Sequence, residues 1–150
     1  MSRIHILFII VDLILSVISL LVGGLLYLGF RSEKLLMFEC GNCMHLNEYI
    51  DCWRNICSSY SPSEWVIYAL PDGLWLFSYM LLVHLIWINT NDKKYKIWLY
   101  ILPLVGISSE VLQLCIEDLG TFDLMDLICY VGAIILFNIK TKLQWKQKEV

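Results

Sequence analysis

Charge is what this sequence has least of. Asp, Glu, Lys and Arg make up 17% of its 150 residues, against about a quarter in soluble domains. The 11 basic and 14 acidic residues sum to a formal charge of -3, and no block of one sign gathers them. The chain therefore carries no electrostatic footprint for a polyanion, which excludes nucleic acid as a partner. It also lacks internal repeats and low-complexity linkers, so it reads as one domain. What is abundant is apolar: 59% of positions are hydrophobic and the mean hydropathy is +0.68. That composition excludes a soluble core, a dinucleotide-binding α/β domain and a long disordered region, and it makes the lipid bilayer the first expected partner.

Four apolar runs account for most of the chain, each close to the ~20 residues that cross a ~30 Å hydrocarbon core. They span about 4–30, 65–89, 96–116 and 122–139. The first follows the basic start Met1-Ser2-Arg3 but exceeds a signal-peptide h-region and ends in no small-x-small cleavage site, so it reads as a retained signal anchor. Lys and Arg counts orient the spans, because cytoplasmic flanks carry the excess. Arg3, Lys93, Lys94, Lys96 and the basic tail 140–150 fall on one side, while Arg31, Lys34 and Arg54 fall on the other. The expected fold is an all-α integral membrane four-helix bundle with both termini cytoplasmic. Residues 31–64 then form a cysteine-rich extracytoplasmic loop, and Glu117–Thr121 turns an antiparallel hairpin with Gly120 ending one helix and Thr121 capping the next.

Small and polar residues recur on stripes at helical spacing: Asp12, Ser16, Ser19 and Gly23 in the first span, Pro103, Gly106, Glu110 and Gln113 in the third, and Asp123, Asp126, Tyr130 and Ala133 in the fourth. Such stripes let helices approach closely in lipid and should face inward. An intramembrane charge costs about 2.5 to 3.5 kcal/mol on insertion scales, so acids there are seldom idle. With the orientation above, Asp72, Glu110, Gln113, Asp123 and Asp126 share the extracytoplasmic level, each within roughly 10 Å of the boundary at a rise of ~1.5 Å per residue. Asp12 sits in the cytoplasmic half. Asp123 also fits a helix cap, Asp72 a turn between Pro71 and Gly73, and Gln113 an interhelical bond. Glu110 and Asp126 lie deeper, with no basic residue near them in sequence, and are the first candidates for working carboxylates, as an acid and base or as ligands to a cation. His84 stands alone on an apolar stretch and reads as a hydrogen-bonded bundle residue.

The run Ser108-Ser109-Glu110-Val111-Leu112-Gln113, then Gly120-Thr121-Phe122-Asp123-Leu124-Met125-Asp126 and later Gly132, resembles the S/E-x-x-Q, G-x-x-D-x-x-D and late-glycine pattern of VanZ-like membrane proteins. Leu70-Pro71-Asp72-Gly73-Leu74-Trp75 is similar to a motif in small bacterial relatives. The resemblance covers spans two to four. It implies a multi-pass protein of the bacterial cytoplasmic membrane acting on the cell envelope, with a link to glycopeptide resistance and with Glu110, Gln113, Asp123 and Asp126 as signature positions. A lipid-linked envelope component is the substrate class this suggests, and no cofactor is implied.

Six cysteines are present. Cys40, Cys43, Cys52 and Cys57 lie in the outer loop, where an even number of thiols in an oxidising compartment reads as two disulfides of open pairing. Cys115 and Cys129 read as small buried apolar residues. Two other readings stay open for the loop. Cys40-Gly41-Asn42-Cys43 is a C-x-x-C pair after the first span of a four-span bundle and is similar to DsbB-type and vitamin-K-epoxide-reductase-type disulfide generators, which pass electrons to a quinone. Glu117–Thr121 has no cysteine, so Cys52 and Cys57 would have to form the second pair. A zinc site from the four loop cysteines, with His45 in reserve, is the other. Trp53, Trp65, Trp75, Trp87 and Trp98 read as interfacial anchors. A non-catalytic subunit packing its small-residue stripes on a membrane protein partner, or a homo-oligomer, remains a further class.

Overall fold

The computed structural model describes residues 3–32, 38, 45–88, 90, 92, 94–116 and 120–148. Among the described residues the regular elements are helices: α1 (Arg3–Phe30), α2 (Asn47–Cys57), α3 (Glu64–Tyr68), α4 (Leu70–Trp87), α5 (Lys94–Cys115) and α6 (Leu124–Lys148). Four stretches are long and apolar enough to cross a membrane: Ile6–Phe30, Glu64–Trp87, Lys94–Cys115 and Leu124–Gln144. Their outer faces are apolar, with Leu7, Leu21, Ile86, Leu104, Leu114 and Leu136 each more than half exposed. A soluble monomer rarely shows such continuous apolar surface; a bundle in lipid must.

Two boundaries differ from the sequence expectation. The second span divides into α3 and α4, because Pro71 offers no N–H to the carbonyl of Ile67 and its ring crowds that carbonyl. The Ala69 N–H still reaches the carbonyl of Trp65 at 3.0 Å. The fourth helix continues past Ile139 to Lys148, so the segment expected as a separate basic tail extends α6. Lys140 is drawn into the bundle, where it pairs with Asp12.

Neighbouring spans run antiparallel. Ser16 of α1 meets Ser78 of α4, and further along Arg31 meets Tyr68. Tyr95 of α5 meets His84 of α4, and Glu110 meets the start of α6. Asp12, in the first half of α1, receives Gln144, late in α6, so the start of α1 and the end of α6 lie at one end of the bundle. The first stripe is buried throughout, at Asp12, Ser16, Ser19 and Gly23; in the other two Pro103, Glu110 and Ala133 are buried, while Gly106, Gln113, Asp123, Asp126 and Tyr130 are half-buried. The Ser16 and Ser78 hydroxyls lie 2.9 Å apart, and Ser78 Oγ donates to the Ser16 carbonyl at 2.9 Å. Two small hydroxyls thus bring α1 and α4 together and leave no polar atom facing lipid. Trp75 is no interfacial anchor, since its Nε1 donates to the carbonyl of Leu20 and its ring fills the space beside Gly23.

The bundle is built differently at its two ends. Met80, Leu81, Val83, Leu99 and Phe137 form an apolar core towards the end that holds the termini. His84 closes that core, its Nδ1 2.9 Å from the Tyr95 hydroxyl and its ring edge-on to Phe137. The opposite end carries the carboxylates and the loop helix α2. There Arg54 Nη1 donates to the carbonyls of Leu28 and Arg31 at 3.0 and 2.8 Å. A cation thus satisfies carbonyls that the C-terminus of α1 would leave open. Trp53 Nε1 adds a bond to the carbonyl of Leu25 at 2.9 Å.

Cys40 and Cys43 lie outside the described residues. Cys52 and Cys57 are unbridged, the first exposed and the second buried. Five residues apart on one helix, they are separated by a rise of about 7.5 Å, beyond the ~4.4–6.8 Å between the Cα atoms of a disulfide. A Cys52–Cys57 bond is therefore excluded while α2 is intact, as is the redox pair that a DsbB-like arrangement would need from them. Cys115 is exposed and Cys129 half-buried, so neither is the fully buried residue the sequence suggested.

Candidate functional site

Four of the five polar residues singled out in the sequence converge at the end of the bundle remote from the termini, each placed there by a different local device. Glu110 lies in the next-to-last turn of α5 and is 5% exposed. Its Oε2 accepts the backbone N–H of Asp123 at 3.2 Å, so the buried acid holds the segment entering α6. Asp123 sits just before α6, and its Oδ1 accepts the N–H of Met125 at 2.8 Å. That is N-cap geometry, and it corrects the sequence expectation that Thr121 caps this helix. Asp126 follows one turn later, where a carboxylate also complements the helix dipole.

Asp72 approaches from α4. Buried Pro71 and Gly73 flank it in the first turn, and Gly73 rests against Cys129 of α6, where an added Cβ would lie 2.9 Å from Cys129 Cβ. That close approach fixes the height of Asp72 relative to α6. Asp72 lines a cleft of about 200 Å³ together with Trp75, Leu102, Gly106 and Tyr130. Asp126 is within electrostatic reach of Asp123, Asp72 and Glu110. Its Oδ1 is buried and accepts no hydrogen bond among the described residues. Gln113 does not join the group, since it packs against Gly120. Gly120 has φ +129°, a left-handed conformation suited to glycine, so Gln113 supports the turn between α5 and α6.

Two further residues of this site were not among the candidates drawn from the sequence. Arg31 acts on both Asp72 and Asp126. Its guanidinium lies 5.3 Å from the Tyr27 ring centroid and 4.7 Å from that of Tyr68, and its Nη2 donates to the carbonyl of Tyr68 at 3.1 Å. Nothing near it in sequence marks it, because only the packing of α1 on α4 brings it to the acids. Tyr130, near Asp72, Asp126 and Glu110, did carry a signal: it lies four residues after Asp126, on the same helical face.

Among the described residues, no three His, Cys, Asp or Glu side chains gather as a metal-binding group. The arrangement suits hydrogen bonding and charge pairing with a polar head: carboxylate oxygens accept, the Tyr130 hydroxyl sits beside them, and Arg31 supplies one positive charge. The loop thiol Cys57 is poorly suited to nucleophilic work. Burial pushes it up, and the neighbouring Arg54 offsets only part of that, whereas a reactive cysteine needs the opposite shift.

No protein-family model, no curated protein and no solved structure matches the chain.

Proposed function

We propose that this chain is a VanZ-like multi-pass protein of a bacterial cytoplasmic membrane, both termini inside, whose carboxylates engage the amine- or hydroxyl-bearing head of an envelope or lipid-linked component at the outer leaflet. Glu110 and Asp126 are its working pair, with Asp72 lining the cleft and Asp123 and Gln113 shaping the turn that holds them. The observation that carries this reading is that Asp72, Glu110 and Asp126, on three separate helices, lie within electrostatic reach of one another, with Asp126 Oδ1 buried and unpartnered among the described residues. Acids within spanning helices are rare and costly, and three of them with one nearby arginine exceed what packing alone calls for. Amines and hydroxyls donate to such a group, and anionic heads are repelled by it.

The test is glycopeptide tolerance in a bacterial host expressing the chain, with membrane levels followed by immunoblot. Glu110→Gln and Asp126→Asn keep shape and remove charge, so each is expected to abolish tolerance at unchanged protein level. Disappearance of the protein in both variants would make the cluster structural and end this reading.

A further inference from the structure

A second cleft shares no lining residue with the first. It measures about 310 Å³ and is lined by Ser19 of α1, Gly73 and Phe77 of α4, and Cys129, Gly132 and Leu136 of α6, among others. α1 and α6 bracket it and come together at Asp12, which meets Lys140 and Gln144. Lys140 is one turn beyond Leu136, so this contact bounds the cleft on the side of the chain termini. The furrow exists because Gly73 lets α6 sit tightly on α4, while beside Gly132 an added Cβ would meet nothing within 4 Å. Its rims are exposed and apolar, with Ile128 53% and Leu136 60% accessible, so it opens sideways onto the surface that faces lipid.

We infer that this cleft seats one acyl chain of a membrane phospholipid. A helix, about 10 Å across with its side chains, enters a furrow of this volume only with the side chains of one ridge, whereas an acyl chain enters it whole. Water needs two to four polar partners in such a space, and the lining offers little beyond the Ser19 hydroxyl and the Cys129 thiol. An empty furrow would forfeit dispersion contacts along its whole wall. A hydrocarbon chain, thin and flexible, restores them. The inference rests on the membrane reading and deepens the proposed function, because Cys129 lies one turn below Asp126. A lipid whose chain lies here carries its head to the carboxylates.

The full chain is reconstituted in phosphatidylcholine vesicles containing a phospholipid with a diazirine on its acyl chain, in one series with an ethanolamine head and in another with a glycerol head. Adducts are mapped by mass spectrometry. The expected result is preferential labelling of Phe77, Cys129 and Leu136 over the lipid-facing Ile101 and Leu104 of α5, with loss of the cleft adducts in Gly132→Phe and retention of those on α5. Leu136→Trp, on the exposed rim, gives the same readout should Gly132→Phe fail to accumulate. Labelling of α5 and the cleft in equal measure, or cleft adducts that persist in both variants, overturns the inference. The head groups separate the two claims. Cleft labelling that ignores the head group and is unchanged in Asp126→Asn leaves the chain seat standing and removes the role given to the carboxylates.

Discussion

At the scale of single residues, the absence of a side chain does as much here as the carboxylates do. An added Cβ at Gly73 would lie 2.9 Å from Cys129 Cβ and 3.1 Å from its carbonyl oxygen, and a backbone atom cannot swing aside. At Gly132, two turns into α6, the same atom meets open space. The two positions therefore separate packing from propensity. Alanine gains about 0.5 to 1 kcal/mol over glycine within a helix, but overpacking a tight contact costs typically 1 to 3 kcal/mol. Gly73→Ala is expected to destabilise by about 1 to 2 kcal/mol and Gly132→Ala to be neutral or slightly stabilising, read as thermal melts by circular dichroism in one detergent. Equal melts would mean that α4 and α6 are not in close contact at the level of Asp72.

At the scale of elements, the spans and their buried faces were legible in the sequence, and the way the helices stand against one another was not. The spans were legible because about twenty apolar residues in a row have few alternatives, and the buried faces because small and polar residues at three- and four-residue spacing mark one side of a helix. The height of the carboxylates followed from the rise per residue alone. Which helices stand side by side is not written locally, so Arg31 beside Asp72 and Lys140 beside Asp12 could not be read. For the same reason the extent of α6 was underestimated: a lysine-rich segment reads as a flank until a buried acid is found to meet it. Asp12 is fully buried, its Oδ1 pairing with Lys140 and accepting from Gln144 Nε2 at 2.9 Å. Removing one partner of a buried pair costs about 3 to 5 kcal/mol, while removing both charges is often tolerated. Lys140→Met is thus expected to destabilise strongly, and Asp12→Asn added to it to recover most of the loss. A double-mutant cycle on thermal stability measures the coupling; a coupling near zero would mean that the pair does not hold α1 to α6.

At the scale of the whole molecule, the antiparallel order of the spans puts both termini with the apolar core and the acids with α2, so one decision about sidedness assigns every site at once. The basic residues weigh on that decision unequally. Lys94, Lys96 and Lys142 are exposed at the terminal end, free to meet an anionic inner leaflet. At the other end Arg54 is bound to the carbonyls of α1 and Arg31 to the carbonyl and ring of Tyr68, so those two cations serve the fold. The terminal end should therefore be cytoplasmic. Cys52 and Cys57 report on this from a single helix. In intact cells a variant retaining Cys52 alone is expected to react with a membrane-impermeant maleimide, because its side chain is exposed. A variant retaining Cys57 alone should stay unlabelled until denatured, since its Sγ is packed where it would lie 2.8 Å from a Cβ on Gly29 and burial pushes the thiol up. A C-terminal tag should become accessible only on permeabilisation. An accessible tag with a protected Cys52 would invert the bundle, move Glu110 and Asp126 to the inner leaflet, and replace an envelope ligand with a cytoplasmic one.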